Sequence, residues 1–375
     1  MWKVGINAHL LSGKPGYRQA GIHTYIRQVL NHLPTDEQIT YTVFGQRGAD
    51  AHLRPDLQLR TSRWPTDKPI ARIAWEQSIW PLAAQQQQHD LLHSMAFVTP
   101  ILTRKPSIVT VYDLSFEHYP ERYTTFKRLY LQTQTRRSVQ QAQHVVTIAE
   151  DGKRDVIDLY GVPAEKVDVV TPGVDFDLFR PISPTQLTQF KQTNNLDKPF
   201  ILHVGTLQPR KNLPLLIDAY AALKNPDVEL IFVGGKGWLY DDIFAKVEQL
   251  GLADRVRFTG FVPDADLPLW YNAASVLVMP SVYEGFGIPI ADAMACGTPV
   301  IASNASSLPE VVGDAGLLFH PQEVAALTEC IHNVLTDVAE AATLRERGLQ
   351  RVQRFSWTQS GLKMAAIYRK VLQAV

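Results

Sequence analysis

Phe200-Ile201-Leu202-His203-Val204-Gly205-Thr206-Leu207-Gln208-Pro209-Arg210-Lys211-Asn212 reads as a short apolar strand running into a glycine-led, basic loop. Beyond it, Leu213, Leu216, Ile217, Tyr220 and Leu223 recur at helical spacing on one face, and Asn212 is a residue type suited to capping that helix. The start of the chain has the same plan. An apolar strand at 4–6 is followed by a loop with Gly13, Gly16 and Gly21, then by a helical face of Ile22, Tyr25, Ile26, Val29, Leu30 and Leu33.

Outward from these two openings, further strands are expected at 40–44, 90–93, 107–111, 144–148 and 167–170 in the first half. In the second they are expected at 229–233, 256–259, 276–279, 299–302 and 317–319. Short apolar strands alternating with helices predict parallel sheets covered by helices on both faces. The chain therefore reads as two α/β, Rossmann-like domains of similar architecture, without a residue-level repeat. Pro172-Gly173, Pro181, Pro184 and the polar run 185–198 mark the expected junction. The boundaries that follow are 1–175 and 176–357, with a C-terminal helix over about 358–375 packing back on the first domain. In parallel α/β sheets ligands bind beyond the carboxyl ends of the strands, and two such domains facing each other make a cleft for a small molecule.

A length of 375 residues suits two domains. Lys plus Arg and Asp plus Glu both total 37, so the balance gives no sign of a nucleic-acid-coating protein. The two cysteines, Cys296 and Cys330, form no C-x-x-C pair, and read as reduced thiols in a cytoplasmic protein. Met1-Trp2-Lys3-Val4 leads straight into a strand with no secretory pattern, and no apolar run approaches the ~20 residues that span a bilayer.

Two segments carry chemistry. In the first, Arg210 and Lys211 follow a strand and precede a helix, the place for a guanidinium fork and an ammonium to meet a diphosphate. An exposed basic turn is the plain alternative. The second runs from Pro280 to Gly297. Glu284 falls in the turn after the strand at 276–279, Gly285 and Gly287 let backbone come close to a ligand, and a helix begins near Gly287 with its N–H groups available to a phosphate or hydroxyl. Asp292 lies two turns further on. Carboxylates accept from hydroxyls, so Glu284 suits a sugar and Asp292 a ribose. The alternative is a strand–helix junction with an acid near the helix start.

These segments resemble glycosyltransferase family 4, whose members have the two-domain GT-B fold. The resemblance runs from about Ile6 to Trp357 and is densest at 203–213, at 230–237 (Ile-Phe-Val-Gly-Gly-Lys-Gly) and at 256–309. Glu284-Gly-Phe-Gly-x-Pro, Ala293-Met-Ala-Cys-Gly-Thr-Pro-Val and Glu310-Val311-Val312-Gly313 are its most specific strings. Gly237-Trp238-Leu239-Tyr240 looks like the mannosyltransferase-B-like subgroup.

The resemblance implies retaining transfer of a sugar from a nucleotide-diphosphate donor, GDP- or UDP-linked, to a glycan, lipid or other hydroxyl acceptor, as in polysaccharide biosynthesis. It matches Arg210 and Lys211 to the diphosphate pair and Glu284 to the acid that holds the donor sugar. Gly21 matches the glycine whose backbone approaches the donor phosphate. It places Gly205, Thr206, Gly234, Val262, Gly285, Phe286 and Gly287 around the donor, and Asp292 at the ribose, where the family usually has Glu. Asp113 matches the family's His-Asp pair, and Tyr112 stands where the His is usual; a phenol with a pKa near 10 does not carry a positive charge. Ala149 replaces a common serine. No cofactor or metal is implied, and Asp175-Phe176-Asp177 and Asp264-Ala265-Asp266 are not read as metal sites. His203, His144 and His320, at strand edges, read as structural. Some family members rest on membranes through a basic helix. Lys127, Arg128, Arg136 and Arg137 within 126–143 suit that role, or an ordinary solvated face. Rival readings are another GT-B activity such as an epimerase, and a non-catalytic nucleotide-sugar-binding subunit.

Overall fold

The structure, a computed structural model, describes residues 1–11, 21–46, 53–62, 64–66, 68–237 and 239–374. Gly13, Gly16 and Trp238 lie outside the described residues. Two compact units divide the chain: Met1–Gly173 with Trp357–Val375, and Val174–Ser356.

The first unit runs β1 (Trp2–Asn7), α1 (Ile22–Asn31), β2 (Ile39–Gly45), β3 (Gln58–Thr61), α2 (Pro69–Ala74), a π turn (Trp75–Ile79), α3 (Trp80–Gln86), β4 (Leu91–Ser94), β5 (Ser107–Val111), α4 (Ser115–His118), α5 (Thr125–Gln141), β6 (His144–Thr147), α6 (Glu150–Tyr160) and β7 (Val167–Val169). Among the described residues it forms a seven-stranded sheet in the order β3-β2-β1-β4-β5-β6-β7. Every pairing is parallel.

The second unit runs α7 (Pro184–Thr193), β8 (Phe200–Val204), α8 (Leu213–Ala222), β9 (Glu229–Val233), α9 (Asp241–Gln249), β10 (Val256–Gly260), α10 (Leu267–Ala273), β11 (Val276–Met279), α11 (Ile288–Ala295), β12 (Val300–Ser303), α12 (Leu308–Val312), β13 (Leu317–Phe319), α13 (Val324–Thr336) and α14 (Val338–Arg351). Its strands pair in parallel in the order β10-β9-β8-β11-β12-β13. In each sheet the first strand of the unit sits where the winding direction reverses, between β2 and β4 or between β9 and β11. That position is where doubly wound sheets bind ligands.

The last helix, α15 (Trp357–Gln373), belongs to the first unit. Gly361 packs so closely on α1 that a Cβ there would collide with the His32 carbonyl. Tyr368 hydroxyl meets His93 Nδ1 of β4 at 2.7 Å, and Ser360 donates to the Thr171 carbonyl at 2.6 Å.

Three details differ from the sequence reading. β3 was not expected, because it is an edge strand with mostly exposed residues and so carries no apolar run. The polar run 185–198 is largely α7, opened by Pro184 at its first turn and by a capping box between Ser183 and Gln186. Asn212 does not cap α8 with its side chain. It adopts a left-handed conformation, φ 54°, and donates to the Pro321 carbonyl at 2.8 Å.

On α5, Arg136 donates to the Leu159 carbonyl and lies over Tyr160, and Arg137 donates to the Ile101 carbonyl, while Phe126 and Leu129 are exposed. Among the described residues no helix is long and apolar enough to cross a membrane.

Candidate active site

The carboxyl ends of β8, β11 and β12 are stitched together by the basic loop. Arg210 and Lys211 lie on a short 3-10 turn, Pro209–Lys211, held by Lys211 N–H donating to the Gln208 carbonyl at 3.0 Å. Arg210 reaches across to the loop after β11. Its Nη1 donates to the Tyr283 carbonyl at 2.8 Å and to Glu284 Oε2 at 2.7 Å, and its own carbonyl accepts from Val282 N–H at 3.0 Å. Lys211 Nζ donates to Glu284 Oε1 at 2.6 Å. The loop after β12 completes the frame: Ser306 Oγ accepts from Glu284 N–H at 2.7 Å, and Ser307 Oγ donates to the Glu284 carbonyl at 2.9 Å.

Each oxygen of Glu284 thus takes its own cation in a setting nearly closed to water. The Glu284 side chain is 7% exposed, that of Lys211 8% and that of Arg210 21%. Burial by itself would raise the Glu284 pKa, but Arg210 and Lys211 override it and bring it down to about 2. A carboxylate held this firmly is ionised at any working pH and can accept hydroxyl hydrogens or pass its cations to another anion.

Ser306, Ser307 and His203 were not singled out as members of this constellation. Ser306 carries a local signal only in structure, φ 49° at a non-glycine residue. His203, in β8, donates from one ring nitrogen to the Val278 carbonyl of β11. Burial first, then the neighbouring Lys211, lowers its pKa to about 4, so the ring is neutral.

The glycines divide by role. Gly205 and Gly234 lie in the loops after β8 and β9, and those loops touch: a Cβ on Gly234 would collide with the Gly205 carbonyl. Thr206 packs against Gly237 of the same pair of loops, and Val262 follows β10. Gly287 precedes α11 with φ 96°, and a Cβ there would press on Leu308 at 2.8 Å. Phe286, beside Gly285, is buried with its ring against Phe355.

Asp292 is not brought to Glu284's cations. It sits inside α11, 7% exposed, where burial and then the charges of Asp264 and Asp175 push its carboxyl well above the usual range. Asp175 itself accepts from Asp177 and Leu178 N–H groups as a turn. Among the described residues no group of three or more His, Cys, Asp or Glu stands where it could hold a metal ion.

In the first unit, Gly21 opens α1 with φ 59°. Asp113 follows β5 and accepts from Ser115 N–H at 3.0 Å and Ser115 Oγ at 2.6 Å, which fixes the start of α4. Tyr112 is placed unlike a reacting group. Its hydroxyl donates to the Met95 carbonyl at 2.6 Å and its ring is edge-on to Tyr25 and Phe97, so the side chain is a core element. Its phenol satisfies a carbonyl that folding would otherwise bury alone.

Two parallel-sheet α/β units, the second with a basic loop and a paired acid at one strand edge, are the plan of glycosyltransferases of GT-B type. The sequence model for glycosyl transferases group 1 matches residues 185–351, and that for glycosyltransferase family 4 matches residues 20–178. An Escherichia coli relative, O-antigen chain mannosyltransferase B, is 35% identical over 279 residues, 73% of either chain. The chain therefore belongs to glycosyltransferase family 4, on its mannosyltransferase-like side. Among solved structures, sucrose-phosphate synthase from Thermosynechococcus elongatus superposes over 100% of both chains with a TM-score of 0.83 at 24% identity. Anabaena HepE, in complex with UDP-glucose, superposes over 99% of this chain and 100% of its own with a TM-score of 0.76 at 22% identity.

Proposed function

We propose that this glycosyltransferase moves mannose from GDP-mannose to a hydroxyl of a growing glycan with retention of configuration. The observation that carries the reading is the clamp of Glu284 on Arg210 and Lys211 at the switch-point edge of the second sheet. In the reading, the donor diphosphate takes over the two cations and Glu284 turns to the sugar hydroxyls. Charge building on the departing phosphate oxygen is met by a guanidinium and an ammonium already in place, so little reorganisation accompanies bond breaking. The N–H groups at the start of α11 add to this. Attack from the face the phosphate leaves, with that phosphate taking the acceptor's proton, gives retention without a covalent intermediate. Asp292 is assigned the ribose hydroxyls. The first unit is assigned the acceptor.

Mannose is favoured by the relationship to the Escherichia coli mannosyltransferase. UDP-sugars are the second reading, supported by the fold shared with HepE, which binds UDP-glucose. Thermal-shift titration with GDP-, UDP- and ADP-sugars separates them: the preferred donor at 100 times its Kd adds about 2.7 kcal/mol of stability. Radiolabelled transfer to octyl α-mannoside then tests the reaction, and no product with any donor would refute it. The two cations do the work a metal does elsewhere, so EDTA leaves turnover unchanged; loss on chelation with recovery on manganese would overturn that part.

A further inference from the structure

At the switch point of the first sheet stands a polar constellation that none of the foregoing uses. Asn7, at the carboxyl end of β1, donates from its side chain to Glu76 Oε1 at 3.4 Å. Glu76 lies on the π turn Trp75–Ile79, whose extra residue alters the course of the α2–α3 helix; such turns often mark functional sites. Arg72, four residues earlier, keeps its Nε 3.9 Å from the same oxygen. Glu76 Oε2 accepts no hydrogen bond from any described residue, although the side chain is only 12% exposed. On the facing helix α5, Tyr130 has its hydroxyl buried without a hydrogen-bond partner among the described residues. It is near enough to Glu76 and Arg72 for both charges to act on it. Lys127, one turn earlier on α5, feels Arg72 and also Asp113 at the end of β5.

An unpaired buried hydroxyl such as that of Tyr130 is costly, and Glu76 beside it accepts a single long hydrogen bond, from Asn7. Their chemistry also limits what can meet them. An oxygen that accepts, a phenol that donates and a guanidinium beside them together suit a molecule rich in hydroxyls.

We propose that Glu76, Tyr130 and Arg72 form a sugar-binding subsite of the acceptor, one hydroxyl donating to Glu76 Oε2 and a neighbouring oxygen accepting from Tyr130. The assignment rests on the reading of the first unit as the acceptor unit, and it names the sugar class and the residues. Burial, only partly offset by Arg72 and the Asn7 hydrogen bond, raises the Glu76 pKa to about 7.

The test needs no nucleotide donor. Saturation-transfer NMR of the full chain with methyl α-mannoside, methyl α-glucoside and methyl α-galactoside reads direct contact. At least one glycoside receives magnetisation from the wild type, and at pH 8, where Glu76 is ionised, Glu76→Gln weakens its apparent affinity about tenfold or more, the loss of a hydrogen bond to a charged group. Tyr130→Phe weakens it by a smaller factor, and Glu76→Gln keeps wild-type thermal unfolding at pH 4.5, where the Glu76 carboxyl is protonated in the fold. Two results overturn the subsite: no glycoside contacting the wild type, which leaves only water at these groups, or contacts of equal strength in both variants. Failure of the donor reading appears separately, as absence of any nucleotide-sugar thermal shift.

Discussion

Lys211 Nζ lies 2.6 Å from Glu284 Oε1, and the two residues are 73 positions apart in the chain. The contact joins the first loop of the second unit to the loop after β11. Its consequences can be measured in several independent ways.

Lys211→Ala removes one cation and leaves Glu284 to Arg210. The fold is retained at a cost of about 1–3 kcal/mol, the range for an unmet buried partner. Transfer falls mainly in kcat, because the ammonium matters most as the phosphate departs. Steady-state kinetics beside urea unfolding checks both, and near-normal turnover would take the loop out of the mechanism.

Glu284 gives a pH signature. Its folded pKa of about 2 lies below the ordinary value of 4.5, so its stabilising contribution is complete above about 4.5 and is lost as pH falls toward 2. The shift is equivalent to roughly 3 kcal/mol. Glu284→Gln should therefore be well below wild type in unfolding free energy at pH 7, with the gap closing between pH 4.5 and pH 2. A gap independent of pH would mean that the ion pairs contribute little.

Glu76 has the opposite sign. Its folded pKa of about 7 exceeds the ordinary 4.5, so the protonated form favours the fold, and that stability is full below about 4.5 and lost as pH rises from there through about 7. The groups facing it are Arg72 on its own helix, Asn7 on β1 and Tyr130 on α5. Glu76→Gln should melt close to wild type at pH 4.5 and higher than wild type at pH 8. Equal melting temperatures at pH 8 would show that the carboxylate is better solvated than its burial implies.

Asp292 separates binding from packing. If it holds the ribose, Asp292→Ala weakens nucleoside diphosphate binding roughly 2- to 12-fold, the worth of a hydrogen bond to the neutral carboxyl that its burial favours. Asp292→Glu restores the length usual in the family and should bind at least as well as wild type. Isothermal titration of GDP into all three proteins decides it, since equal Kd values would reduce Asp292 to part of α11.

Gly361→Ala probes how the last helix is held. The added methyl would meet the His32 carbonyl, which is backbone and cannot swing aside, so α15 must shift off α1. The expected loss is about 1–3 kcal/mol or more, as for overpacking a well-filled interface. Unchanged thermal unfolding would contradict the close approach of the two helices.

Much of this architecture is legible in the chain. Strands with buried apolar runs, such as Phe200–Val204 and Val276–Met279, announce themselves because both sheet faces are covered. Gln58–Thr61 is silent because an exposed edge has no hydrophobic pattern to show. Ser183-Pro184 with Gln186 was a readable helix start inside a segment whose polarity suggested a linker. The π turn that carries Glu76 has no comparable mark, since α- and π-turns draw on the same residues.

The sequence by itself determined the class of the protein, its family, the two-unit plan and the loops that bear the chemistry, because strand–loop–helix order and the basic and acidic strings are local. Tertiary structure alone decided what each side chain does there. It joined Glu284 to both Arg210 and Lys211, turned Tyr112 to the Met95 carbonyl, buried Asp292 among other acids, and buried the Tyr130 hydroxyl without a hydrogen-bond partner among the described residues. The physical reason is that a side chain's direction and charge state follow from the strands and helices packed around it. Those neighbours come from positions far away in the chain, and the low-dielectric surroundings they create set whether a carboxyl is ionised, shared or waiting for a partner.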